Sequence, residues 1–417
     1  MDLSGHPVLV IMAIAVVSSL LAEIHVGIRV PVVVWELLFG ILIGPHVLAL
    51  VRSEGLLDWL GGLGLAALFF MTGMDLELQK VKGRPLSLAL RGWAVSLTLA
   101  FAVAGLLHVL PFVNAPIMAA LALTTTSLGT LMPILRDSGK LDSNFGNLVL
   151  AAGTLGEFGP IILVSLVLTH KFGAWQEAAL MLAFVAVALA AAIVALRTRP
   201  PKILALLERT MNSSTPLPVC FSLLLLAVFD VLSERIGLEA VLGAFAAGMV
   251  VSLASRDDAG KVFRGKMAAI CFGFFVPFFF VVSGMNLDLQ ALLHSWKTML
   301  LVPMFLGLFL LVRGAPVILY RKDLAKDERL PFAFYSATGL SMVVAIAALG
   351  VRTGRMPSNV AAAVVGAGLL SVLLFPMIAG ALLSRSARIS DSQGAKLMRK
   401  YFWCLLQIAI FSRTLLR

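Results

Sequence analysis

The sequence predicts an all-α polytopic membrane protein of about 13 transmembrane helices, with inverted-topology repeats and two discontinuous crossing helices. Three observations lead there. Hydrophobic residues make up 60% of the 417-residue chain and charged residues 13%, against about 45–50% and about 25% in soluble domains. The apolar residues form long runs near the roughly 20 residues that one spanning helix needs, not the short alternations of a membrane β-barrel. One phrase is also nearly repeated half a chain apart: "FFMTGMDLEL" (69–78) and "FVVSGMNLDL" (280–289), aligned on Gly73 and Gly284.

The apolar runs place spans at residues 7–25, 30–50, 57–74, 87–110, 115–136, 145–170, 175–197, 215–234, 237–253, 267–285, 297–320, 330–351 and 358–384. A basic tail, 385–417, follows. Lys and Arg crowd the loops after the odd-numbered spans, for example Lys80, Lys82 and Arg84, or Arg256, Lys261, Arg264 and Lys266. By the positive-inside rule the N-terminus is outside and the tail is cytoplasmic. The net charge of +11 is thus a topology signal, and no nucleic-acid partner is expected. The tail, "KLMRKYFWCLLQIAIFSRTLLR", is basic and apolar enough to lie on anionic membrane lipid or to pack on the protein.

The three cysteines are far apart, form no CxxC, and suggest neither a disulfide framework nor a metal site. No HExxH or GxSxG occurs, so an enzyme is not expected and no cofactor is called for.

The repeated phrases end spans 3 and 10. An offset of seven spans reverses direction across the membrane, so the two copies run antiparallel. "WELLFG" around Gly40 and "GAFAAG" around Gly248 echo each other in spans 2 and 9, at the same offset. Inverted repeats of this kind are a feature of secondary transporters, which place their site near the midplane on interrupted helices.

Ionisable groups deep in the membrane are functional candidates. Glu157, in "AAGTLGEFGP", sits about twelve residues from either end of span 6. Gly153, Gly156 and Gly159 around it allow close approach of a neighbour, and Pro160 removes a backbone donor. Arg313 is the matching cation, roughly 12 Å inside Arg321 at 1.5 Å per residue. Arg91, Glu36, Asp230 and Glu239 lie nearer span ends and read as interfacial or helix-packing groups. "TTTSLGTLMP" places Thr124, Thr125, Thr126 and Ser127 in span 5, with a Gly and a Pro. "SATGLSMVVA", which includes Ser341, occupies span 12, again seven spans on. Such hydroxyls serve either as oxygen ligands of a monovalent cation or as glue between helices. Paired in symmetry-related spans, they favour two interrupted helices.

With these residues in view, the chain resembles the cation:proton antiporter superfamily, in its bacterial sodium/hydrogen exchanger-like branch, which also contains potassium/proton antiporters. The similarity runs over residues 7–384 and rests on "PVVVWELLFGILIGP" (31–45), "LGLAALFFMTGMDLEL" (63–78), "ALTTTSLGTLMPILRDSGKL" (122–141), "LGAFAAGMVVS" (242–252), "PFFFVVSGMNLDL" (277–289) and Arg313. The resemblance implies a homodimer in the bacterial inner membrane. It implies a dimerisation domain from residues 1–78 and 200–290, a core from 79–172 and 291–384, and a linker helix over 173–199. The core would move against the dimerisation domain in an elevator-like exchange of access. The family usually carries Asp, preceded by Asp, Asn or Gln, where this chain has Gly156-Glu157, which leaves ion choice open between Na+ and K+.

One carboxylate, Glu157, is expected to bind either H+ or the monovalent cation, with Arg313, Thr124, Thr125, Thr126, Ser127, Gly156 and Ser341 supporting the site. Arg313 cannot give up its proton and no second midplane acid is visible, so an electroneutral one-for-one exchange is expected. The rival reading is a sodium-coupled organic anion symporter of related fold. A gated channel would need a pore-lining signature that the sequence lacks. The acids of the doubled phrase are expected to close scaffold helices rather than to bind ions.

Overall fold

The structure is a computed structural model that describes residues 6–23, 30–51, 54–75, 83–109, 115–137, 139–141, 143–168, 210, 216–236, 240–254, 258–290 and 296–383. The expected linker helix and the tail lie outside the described residues. All regular structure described is helical. In chain order the helices are α1 (Pro7–Glu23), α2 (Val32–Ile43), α3 (Leu56–Met74), α4 (Arg84–Val109), α5 (Pro116–Leu123), α6 (Leu128–Asp137) and α7 (Asn144–Leu168). They continue with α8 (Leu217–Ile236), α9 (Ala240–Ala254), α10 (Asp258–Ile270), α11 (Val276–Met285), α12 (Trp296–Gly314), α13 (Arg329–Ser336) and α14 (Ser341–Arg352). The last described helix, α15, is Ser358–Leu383. Among the described residues, eight helical stretches are long and apolar enough to cross a membrane.

Span 5 is the break between α5 and α6, and span 12 the break between α13 and α14, as expected. Two boundaries differ from the sequence reading. Span 2 loses its helix at Ile43, because Gly44 is extended (φ −66°, ψ 169°) ahead of Pro45; a residue before proline is driven out of the α region. The apolar residues that follow fold back, with Leu50 and Val51 donating to Ile43 O at 3.0 and 3.2 Å. Span 10 starts earlier than expected. Lys261, Arg264 and Lys266, read as loop residues, lie on α10. That helix continues into α11 through a π-turn at Cys271–Phe275. Pro277 follows directly, and its ring displaces the carbonyl four residues back.

The helices fall into two groups that share apolar core where they meet, as at Phe158 of α7 and Phe245 of α9, whose ring centroids are 5.2 Å apart. In the first, α3 lies against α9 and α11, α2 against α11, and α8 against α9. Its contacts run through glycines. A Cβ on Gly40 would collide with the backbone of Val281 on α11, and one on Gly284 with the backbone of Leu37 and Gly40 on α2. A Cβ on Gly73 would strike Phe245 O on α9, and one on Gly248 would strike Phe70 O on α3. The four glycines of the two sequence echoes therefore meet pairwise, 40 with 284 and 73 with 248. Backbones this close leave no room for any side chain, which is how small residues hold membrane helices together.

The second group holds the broken helices. Here α4 packs on α5 and α7, α14 on α5, and α13 on α7 and α12. At one end of this group, Asp323 accepts from Arg84 through Nε at 2.5 Å and Nη2 at 3.1 Å. Its backbone carbonyl takes Asn144 Nδ2 at 2.8 Å, so one residue ties the starts of α4 and α7 to the segment between α12 and α13. A cavity of about 520 Å³ lies between parts of the two groups, with Gly61, Phe279 and Asn286 on one wall and Val344, Arg352 and Ala361 on the other.

Candidate functional site

Prolines prepare the site by releasing carbonyls inside helices. Pro160 in α7 has no N–H to give to Gly156 O, and Thr126 N–H takes that acceptor at 2.9 Å. Pro316, just past α12, likewise leaves Val312 O without its helical donor. The Ser96 hydroxyl on α4 donates to Val312 O at 2.8 Å instead. A buried carbonyl left unpaired is costly, so each proline specifies a tertiary contact where its helix loses a bond.

The glycines of α7 then admit three neighbours. A Cβ on Gly153 would meet the Leu128 side chain, one on Gly156 would meet Arg313 Nη2 and Thr126 Oγ1, and one on Gly159 would meet the Trp93 indole. Helices α6, α12 and α4 each contribute to that contact stripe, and Glu157 sits within it.

Arg313 is 4% exposed, so the long side chain turns inward rather than reaching for the membrane surface. Its Nε donates to Thr126 Oγ1 at 2.9 Å and to Ser336 O at 3.3 Å. Nη1 donates to Ser96 Oγ at 3.4 Å and Nη2 to Ala152 O at 2.9 Å. Thr126 Oγ1 in turn donates to Ser336 O at 2.5 Å. Ser336 is the last residue of α13, where helix carbonyls carry partial negative charge. The guanidinium thus offsets the end of a half-helix buried where no water can do so. A buried cation without such partners is strongly disfavoured.

Glu157 is 9% exposed. The Leu128 backbone N–H, at the N-terminus of α6, faces its carboxylate. A carboxylate at a helix N-terminus meets the positive end of the dipole. Glu157 and Arg313 form no ion pair with each other, although both touch the crossing. Each charge instead serves one open half-helix end: Glu157 the start of α6, Arg313 the end of α13.

The hydroxyls expected at the site divide. Thr126 is bonded to Arg313, and Ser127 Oγ lies 3.3 Å from Ser341 Oγ, linking the two breaks. Thr124 and Thr125 turn back to cap α5, donating to Leu121 O and Ala122 O at 2.7 Å each. Gly156 leaves the space that Arg313 and Thr126 fill. The reading of the sequence missed Ser96, and it included Ser336 in the span 12 motif without giving it a role. Serines in apolar helices are common glue, and only the proline at 316 pointed to an orphaned acceptor for Ser96. Asp75, expected to close a scaffold helix, is the C-cap of α3. Among the described residues, no three His, Cys, Asp or Glu side chains gather to hold a metal ion.

A bundle of apolar helices, two of them broken and crossing beside a buried carboxylate, defines a multi-pass membrane protein. The chain belongs to the sodium/hydrogen exchanger (transmembrane) family, which it matches over residues 10–385. It is 25% identical over 387 residues to YjbQ of Bacillus subtilis (strain 168), which bears a provisional description as a Na(+)/H(+) antiporter. That similarity covers 88% of this chain and 61% of YjbQ, so the chain spans about three fifths of that relative's length. It is 28% identical over 284 residues to the Na(+)/H(+)-K(+) antiporter GerN of Bacillus cereus, covering 66% of this chain and 70% of GerN. The fold is similar to that of the sodium proton antiporter MjNhaP1 of Methanocaldococcus jannaschii at pH 8, with a TM-score of 0.65 and 18% identity. That likeness covers 92% of this chain and 98% of MjNhaP1.

Proposed function

We propose that this protein is a secondary active antiporter that exchanges a monovalent cation, Na+ or K+ or both, for H+. The observation that carries the reading is Glu157. It is a buried carboxylate at the crossing of two broken helices, and Arg313, the deeply buried cation nearby, is committed elsewhere. Because Arg313 is fixed to the α13 terminus, it is no permanent counter-ion for Glu157, which can be neutralised by a proton or by a cation, in turn. Thr126, Ser127, Ser341 and the carbonyls at the breaks are the neighbouring oxygens. GerN's name pairs Na+ with K+, which supports testing both.

The elevator-like movement is supported by the division of the helices into two groups and by the cavity that lies between parts of them. The group containing α2, α3, α9 and α11 is the stationary dimerisation scaffold in this reading. The group with the broken helices moves. The crossed glycine contacts, 40 with 284 and 73 with 248, are what a pseudo-two-fold relation between inverted repeats would produce. With Glu157 as the titrating carboxylate at the crossing and the buried Glu36 of α2 in the scaffold group, exchange is electroneutral in this reading, and the protein is a homodimer of the bacterial inner membrane with its N-terminus outside.

The test is a Na+ or K+ pulse applied to proteoliposomes holding a pH-sensitive dye, with no organic solute present. A pH change without a steady membrane potential is expected. A response that required an organic anion would favour symport, and a sustained potential would end the one-for-one claim.

A further inference from the structure

The second broken helix is held by a contact that the proposed ion chemistry does not use. Between α13 and α14, Gly339 N–H donates to Ser371 Oγ at 3.1 Å. The same hydroxyl lies 3.1 Å from Gly339 O and 2.7 Å from Gly368 O. Ser371, on α15, is fully buried. Its partner N–H belongs to the Thr338–Gly339 peptide unit. The carbonyl of that same unit, Thr338 O, accepts Ser127 N–H at 2.9 Å.

A peptide unit is planar and rigid. Fixing its N–H therefore fixes the direction of its C=O. Ser371 holds one edge of the plane and Ser127 hangs from the other. The residue before Ser127, Thr126, donates its N–H to Gly156 O at 2.9 Å, directly beside Glu157, and the residue after it is Leu128, whose N–H faces Glu157. Two further close approaches confine the backbone at Gly339. A Cβ on Gly368 would lie 2.9 Å from Gly339 O, and one on Gly339 would lie 3.0 Å from Thr125 Oγ1 at the other break. Helix α15 thus touches the crossing at Gly339 through Gly368 and Ser371.

We propose that Ser371 is a positioning residue of the ion site, aligning the start of α6 on Glu157 through the Thr338–Gly339 peptide. It touches neither the ion nor Glu157. The inference rests on the functional reading above, in which Glu157 binds the cation. A serine placed here sets the geometry of binding, since a site must be held closely by the residues behind it. It does not set the speed of the moving core, whose boundary with the scaffold lies elsewhere.

The experiment compares wild type, Ser371→Ala and Gly368→Ala, each purified as monodisperse protein and reconstituted at equal amounts. Cation-driven proton movement is measured across a range of Na+ and K+ concentrations. Ser371→Ala leaves Gly339 N–H without an acceptor, and Gly368→Ala pushes on Gly339 O in the adjoining peptide unit, so both disturb the backbone at Gly339. The expected result is an apparent KM for the cation raised about three- to tenfold in both, the scale of one net hydrogen bond, with maximal rate within about twofold. A merely structural serine would lower the yield of folded protein and leave KM of the reconstituted fraction unchanged. An unchanged KM in either variant overturns the proposal, so loss of one variant to misfolding still leaves a decision. Should the functional reading itself be wrong, the failure is distinct: wild type would show no cation-driven proton movement.

Discussion

Arg313 and Ser336 meet at the end of a half-helix, the guanidinium Nε lying 3.3 Å from the Ser336 carbonyl. Thr126 Oγ1 is wedged between them, accepting from Arg313 at 2.9 Å and donating to Ser336 O at 2.5 Å. The three residues come from three different parts of the chain and join the two breaks. The positive charge thus belongs to the architecture of the crossing, and Glu157 is left to the transported ions.

That division makes Arg313→Lys a non-conservative change. An ammonium cannot span Thr126, Ser336, Ser96 and Ala152 at once, because the guanidinium's flat fork is what matches four acceptors. Arg313→Ala removes every one of these charge-assisted hydrogen bonds, each worth about 1.5–3 kcal/mol, and leaves Ser336 O with the Thr126 hydroxyl as its donor. The expected order of thermal stability in detergent is wild type, then Lys, then Ala. Equal stability of all three would show that the charge is not structural.

Gly156→Ala is expected to disturb the same place from the α7 side. Its Cβ would meet Arg313 Nη2 and Thr126 Oγ1, both of them already bonded. Displacing a packed, hydrogen-bonded pair costs about 1–3 kcal/mol. Reduced exchange with lowered melting temperature is the expected outcome. Full activity would mean that the guanidinium can move aside freely.

The scaffold makes a separate prediction. Gly73→Ala and Gly284→Ala each drive a methyl into a neighbouring backbone, which cannot give way as a flexible side chain does. A loss at the upper end of about 1–3 kcal/mol is expected for each. Gly105→Ala is the control: it lies in α4 with nothing within 4 Å of the new methyl. Helix propensity alone favours alanine there by roughly 0.5–1 kcal/mol. Thermal unfolding followed by tryptophan fluorescence would separate the two classes, and similar shifts at all three positions would refute the packing argument.

Much of this was legible in the sequence. Glu157 stood out because an acid deep in a long apolar run is too costly to be incidental, and Pro160 marked a carbonyl seeking a partner. The breaks in spans 5 and 12 showed as hydroxyl and glycine clusters at matching offsets. The start of α10 was hidden because Lys261, Arg264 and Lys266 lower its hydropathy, although a helix at the edge of a bundle can carry such charges on one side. The end of α2 was hidden for the opposite reason: Val47, Leu48 and Leu50 prolong the apolar run past Gly44-Pro45. Ser96 and Ser371 act through contacts 216 and 32 residues away in the chain, and no local pattern distinguishes them from other serines.

The most direct test of the central claim is exchange by Glu157→Gln in proteoliposomes. Glutamine keeps the size and polarity of the side chain but can carry neither the proton nor the cation's counter-charge. The predicted result is a correctly folded protein in which Na+ and K+ pulses move no protons. Exchange at the wild-type rate would contradict the claim and place the carrier elsewhere in the molecule.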